Sequence, residues 1–235
     1  MMNFIHFKRK LNYLSVIFAL TSMSVQAQDT IKPSDYIGKT VAFGSYYTDS
    51  DKEKSPLIWR VIDCNDNECL LTTDYVVIIG QYHSVEKPMT WKDSDLRYWL
   101  NNSFYKSSFN KEEQKYIVRH EIEAQFNPVH DTDPGENTFD NVFILSASEA
   151  ELLSNEHRKV MATNYANIKA GRSYSNLYDV WWLRNPGLKS VHAMVVGGGN
   201  TPSSFIRPNG LLVNVEFVGV RPAIYMKNTD IKKAP

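Results

Sequence analysis

The sequence predicts an α+β fold, and three observations lead to it. Apolar runs with strand character lie near the start of the chain and again toward its end. Between them stand short stretches with apolar residues at helical spacing, opened by capping signatures. No internal repeat or long linker interrupts the order, so the layout is strands at both ends around short helices.

Residues 39–46 read as the opening strand, behind a polar leader at 28–36. Residues 57–63 and 70–73 read as two more strands, joined through Cys64-Asn65-Asp66-Asn67-Glu68-Cys69. Asn and Asp between two β-rich runs signal a hairpin turn. Residues 75–82 fit a strand or a buried crossing segment. Thr90-Trp91-Lys92-Asp93 then has capping-box form, and Leu96, Trp99 and Leu100 follow at i, i+3 and i+4, predicting a short helix that ends near Asn101-Asn102. Asn110-Lys111-Glu112-Glu113 repeats the start signal, with Tyr116 and Ile117 on the buried side. Residues 141–145 read as a strand running into the capping box Ser146-Ala147-Ser148-Glu149. A helical stretch at 161–170 meets Gly171, a residue suited to the position after a helix. Strands are expected at 180–184, 191–196, 211–217 and 218–226, and a frayed polar tail from Lys227. Gly197-Gly198-Gly199 reads as a turn, because Asn200-Thr201-Pro202 follows where a phosphate loop needs Gly-Lys-Ser or Gly-Lys-Thr.

The N-terminus points to export. Lys8, Arg9 and Lys10 precede the apolar run 11–20, and Val25-Gln26-Ala27 offers small residues where a signal peptidase reads. Residues 1–27 are therefore expected to be a signal peptide, with no membrane span left after cleavage and a destination in the periplasm or the medium. The chain balances 26 basic against 26 acidic residues, and losing this leader leaves it slightly acidic. Without a basic block it offers no electrostatic footprint for nucleic acid. The two cysteines, Cys64 and Cys69, flank the predicted hairpin turn, and in an oxidising compartment they favour a disulfide over two free thiols.

Two late blocks carry a family resemblance: Trp181-Trp182-Leu183-Arg184-Asn185-Pro186-Gly187, and Gly219-Val220-Arg221-Pro222-Ala223. With Thr90-Trp91, Leu96-Arg97, Trp99-Leu100-Asn101, Phe104 and residues 140–146 with Glu149, they resemble the bacterial family known as domain of unknown function 6273, over residues 37–226. That family is itself similar to the C-type-lectin-like fold, which also carries the formylglycine-generating enzymes. The resemblance implies a single C-type-lectin-like domain. Such lectins hold calcium for sugar through Glu-Pro-Asn or Gln-Pro-Asp with Trp-Asn-Asp, and none of these tripeptides occurs here. Formylglycine-generating enzymes use a late cysteine pair, and this chain has no cysteine after Cys69.

No nucleophile elbow, zinc helix or paired Cys-x-x-Cys appears, and His83, His120, His130, His157 and His192 each stand alone in sequence. The loop 130–137 is rich in oxygen ligands, and Asp131, Asp133 and Asp140 are weak metal candidates. Gly135 stands where an EF-hand needs a side-chain ligand, so a solvated loop is the better reading. No cofactor is expected. Trp91, Trp99, Trp181 and Arg221 read as structural. Strand alternation puts Trp181 and Trp182 on opposite faces, so one ring can be core while its neighbour lines a groove. Arg184 can pair with a buried carboxylate or hold loops through backbone carbonyls. If there is a pocket, Tyr174, Trp182, Arg184, His192 and Arg207 are its candidate ligand contacts. These residues lead to an exported non-catalytic binding module that recognises an extracytoplasmic protein or glycan through loops of the C-terminal half. The alternatives are an enzyme whose site is assembled from distant residues, with His192 or the aspartate loop at its centre, and an envelope scaffold.

Overall fold

The structure, a computed structural model, describes residues 32–172, 178–197 and 204–231. Strand β1 (Thr40–Tyr47) is bulged at Gly44, whose φ of +64° is open to glycine and whose missing Cβ would meet the Phe109 ring at 2.5 Å. Strands β2 (Lys54–Cys64) and β3 (Glu68–Thr73) form the hairpin, with Cys64 directly opposite Cys69 and bonded to it. Asn65 closes the turn by accepting from the amides of Asn67 and Glu68. The buried stretch that follows holds only a brief strand, β4 (Ile78–Ile79). Helix α1 (Asp95–Trp99) opens at Ser94, whose Oγ accepts from the Arg97 amide, and runs through a π-helical turn (Leu100–Phe104) into α2 (Tyr105–Ser108).

Short strands β5 (Ile117–Val118), β6 (His120–Ile122), β7 (Thr138–Asp140) and β8 (Phe143–Ile144) lead to α3 (Ala147–Glu151). Its capping box is complete: Ser146 Oγ accepts from the Glu149 amide at 3.2 Å and Glu149 Oε2 accepts from the Ser146 amide at 2.8 Å. Helices α4 (Asn155–Arg158) and α5 (Asn164–Lys169) begin at the side-chain caps Ser154 and Thr163. The chain then lays down β9 (Trp181–Pro186), β10 (His192–Val196), β11 (Ile206–Leu212), β12 (Gly219–Val220) and β13 (Pro222–Lys227).

The fold is mixed α+β, mostly antiparallel strands with a few short helices. The first sheet has the order β1-β2-β3-β13-β5, with β8 also paired to β13, so the last strand lies beside the early ones. The second has the order β11-β10-β9-β12-β4, and only its β9–β12 pairing is parallel. The chain steps from the second sheet to the first at Arg221, a fully buried residue between β12 and β13. Its guanidinium donates to the Thr73 carbonyl through Nε and Nη2, to the His157 carbonyl through Nη1, and lies 4.7 Å from the centroid of Trp181. Burial pushes the pKa of this group down, and the carbonyl oxygens with the indole face supply what water no longer does.

Four local expectations change. Thr90 does not cap the helix: its hydroxyl bonds Asp93, and Ser94 is the cap. Asn101 and Asn102 do not stop it, because their amides bond the carbonyls of Arg97 and Tyr98 one turn back while Leu100 and Phe104 bury. The strand expected at 211–217 lies instead at Ile206–Leu212; Pro208 is tolerated because β11 is a sheet edge, where a missing N–H breaks no ladder. The tail does not fray at once, since Ile231 is buried and the Asn228 amide bonds the Asn67 carbonyl of the hairpin turn.

Candidate functional site

Two of the five side chains that the sequence nominates for ligand contact, Trp182 and Arg184, are built into the interior. Trp182 is fully buried along with Trp181, because the second sheet is covered on both faces. Its indole donates to the Gly80 carbonyl at 2.9 Å, and Tyr82 packs 5.6 Å from it. The groove expected beside Trp182 is thus replaced by core. Arg184 is buried as well. It forms a two-pronged ion pair with Glu149, with Nη2 at 2.8 Å from Oε1 and Nη1 on Oε2, and donates to the Ile144 carbonyl at 3.1 Å. The same Glu149 closes the α3 capping box, so the Arg184 guanidinium is engaged by protein groups, and Arg184 and His192 line one small pocket with Tyr82 and Trp91. His192 is half-buried, its Nδ1 without a hydrogen-bond partner among the described residues. Arg207 is exposed on the edge strand β11, opposite Val195, which pairs with Trp182 on its other side. Tyr174 lies outside the described residues, as do Gly198, Gly199 and residues 1–27.

The aspartates of the oxygen-rich loop do not converge. Asp140 is wholly buried, and its carboxylate accepts from Trp91 Nε1 at 2.9 Å, Arg97 Nε at 2.7 Å and Thr138 Oγ at 2.7 Å. That explains why Trp91 sits in the core with its polar edge satisfied. Asp133 is spent on the Gly135 amide, in a turn. Among the described residues, no group of three or more His, Cys, Asp or Glu side chains is placed to hold a metal ion.

The cleft with binding character lies elsewhere, between β4, the segment after it and α1. It has a volume of about 260 Å³ and is lined by Ile78, Leu96, Trp99 and Val220 with Gly80, Gln81, Ser84 and Asp95. Trp99 is half-buried against Phe104 and Tyr46. The indole N–H groups of Trp59, Trp91, Trp181 and Trp182 all donate to protein acceptors; among the described residues, that of Trp99 has none. Gln81 donates its amide N–H to the Asn214 carbonyl at 2.8 Å, which fixes the side chain and leaves Oε1 as an acceptor. Sequence reasoning placed Trp99 in the core because it follows Leu96 by three residues, and gave no sign of Gln81, Ser84 or Asp95. Only the folded arrangement of β4 and β12 against α1 brings them together.

Asp95 sits at the rim with 55% of its side chain exposed, and its Oδ2 accepts from Ser84 Oγ at 2.6 Å and the Ser84 amide at 2.9 Å. The hydroxyl hydrogen bond from Ser84, joined by the amide and by the nearby His83 and Lys87, holds this carboxyl below its ordinary value against the cost of desolvation. His83 Nδ1 lies 3.1 Å from the same oxygen. Ser, His and Asp thus meet, but the Ser84 hydroxyl donates to the carboxylate and not to the imidazole. The acceptor on the hydroxyl is therefore a carboxylate with a lowered pKa, a weak base, in place of an imidazole. The arrangement presents the polar groups of Ser84 and Asp95 at the rim of the cleft.

The family model described as Domain of unknown function (DUF6273) matches residues 66–228. No curated protein and no solved structure matches the chain.

Proposed function

This chain belongs to the DUF6273 family, and we propose that it is an exported, non-catalytic binding module whose ligand, a glycan or a protein segment outside the cytoplasm, docks in the Trp99 cleft. One observation carries the proposal: a half-buried indole with an unengaged N–H faces a cleft whose other polar groups are held in place by the protein. An amphipathic aromatic ring beside a few fixed hydrogen-bonding groups is the general make-up of a recognition site. The cleft replaces the C-terminal-half loops as the proposed contact surface, because Trp182 and Arg184 are committed to the interior.

The reading of a C-type-lectin-like scaffold is supported by the pairing of β13 beside β3 in a sheet that also contains the first strand, with a second sheet formed mainly by later strands. Export is supported by the Cys64–Cys69 disulfide, a bond that persists in oxidising compartments. No helix among the described residues is long and apolar enough to cross a membrane.

Glycan and peptide arrays probed with the purified protein, with and without EDTA, test the proposal. The expected result is a hit that EDTA leaves intact and Trp99→Ala weakens roughly tenfold or more, with Trp182→Phe tolerated as a core substitution. Turnover of any bound compound, or a hit indifferent to Trp99→Ala in a folded variant, would remove it.

A further inference from the structure

A second cleft, of about 350 Å³, lies on the other side of Asp95 and is lined by Lys92, Asp93, Ser94, Arg97, Tyr98, Asn101 and Asn102. Asp95 lines both clefts, so the two adjoin at this residue. We propose that the two clefts form one groove for an uncharged oligosaccharide, with one sugar ring on Trp99, the chain crossing Asp95, and further rings against Tyr98 and Asn102. The inference rests on the binding reading above and names the ligand class.

Size and shape support a chain of rings. Each cleft is near or below the lower end of what a drug-sized ligand fills, roughly 300 Å³, and together they match a ligand of several units. Tyr98 is 71% exposed, which places a second aromatic ring at the far cleft, one residue from Trp99. A pyranose has an apolar face for such a ring and hydroxyls around its edge for acceptors such as Gln81 Oε1 and Asp95.

Charge selects against acidic chains. Two cations line the far cleft, but each is already matched: Lys92 Nζ lies 2.8 Å from Glu136 and Arg97 Nε 2.7 Å from the buried Asp140. The carboxylates of Asp93 and Asp95 hold hydrogen bonds from hydroxyls, Thr90 and Ser84, but no lysine or arginine ion pair among the described residues. A uronate or sialate laid in this groove would meet two anions, and like charges at a binding surface penalise the wrong partner. A sugar hydroxyl, by contrast, donates to a carboxylate in a charge-assisted hydrogen bond.

The test is a binding titration of the purified protein with neutral tetrasaccharides (β-1,4-linked glucose, β-1,4-linked N-acetylglucosamine, α-1,4-linked glucose) and with α-1,4-linked tetragalacturonate, plus an uncharged peptide of similar length. At least one neutral glycan is expected to bind and tetragalacturonate is not. Asp95→Asn should weaken the neutral glycan roughly tenfold, while the double variant Asp93→Asn/Asp95→Asn should bind tetragalacturonate more tightly than the wild type does. Tetragalacturonate binding as tightly as the neutral sugars to the wild type, or no gain in its binding to the double variant, overturns the charge argument. Peptide binding lost in Trp99→Ala, with no glycan binding, overturns the ligand class and leaves the cleft assignment standing. Binding by neither class to the folded protein defeats the binding reading itself.

Discussion

Asp95 shows how one residue serves two ends. Its carboxylate anchors the segment before α1 by accepting two hydrogen bonds from Ser84, and it still offers more than half of its side chain to solvent. Because its folded pKa lies below the unfolded one, its stabilising contribution is present above the unfolded value and is lost as pH falls through the folded value. Thermal melts of the wild type and Asp95→Asn should therefore differ at pH 7 and draw together progressively only as pH falls below about 4. A deficit that persists unchanged at pH 3 would assign the effect to packing instead of charge. None of this is legible in Ser84 or Asp95 read as letters, since eleven residues separate them and neither belongs to a recognisable motif. Trp99 misleads in the opposite direction, because helical spacing from Leu96 shows that it faces inward but not that its ring edge meets a cleft.

Elements were legible where their causes are local. The Asn65 turn with its paired cysteines and the Ser146 capping box each depend on residues two to five positions apart, and both stand where the sequence places them. β11 was hidden because Pro208 and Asn209-Gly210 have the look of a turn, and only its edge position makes them compatible with a strand. The helix through residues 95–108 outran its expected stop because Asn101 also accepts from the amides of Asn141 and Val142, tying the π-helical turn to the segment before β8. Arg184 joins β9 to α3 through Glu149. Glu149→Gln preserves the helix cap but leaves the buried guanidinium without its counter-charge, and should cost about 3–5 kcal/mol. Urea unfolding measures this, with the exposed Glu151→Gln as a control expected within about 0.5 kcal/mol. Equal effects for the two variants would show that the ion pair contributes nothing beyond an ordinary surface change.

At the scale of the whole molecule, the two sheets are joined at Arg221 and the tryptophans divide their labour. Four indoles are fixed in the interior by hydrogen bonds to Phe43, Asp140, Arg158 and Gly80, and the fifth, Trp99, faces the cleft. The α+β class was open to sequence reasoning because strand and helix periodicities differ. The cleft was not, because Ile78, Gln81, Asp95, Trp99 and Val220 come from separate elements and meet only after the sheets have formed. The most direct measurement is a ¹H–¹⁵N spectrum of the purified protein, its Trp99 indole signal assigned with Trp99→Phe, titrated with whichever tetrasaccharide binds. The Trp99 indole signal should move on binding while those of Trp59, Trp91, Trp181 and Trp182 hold still. A saturating ligand that leaves the Trp99 signal in place would contradict the assignment of this cleft.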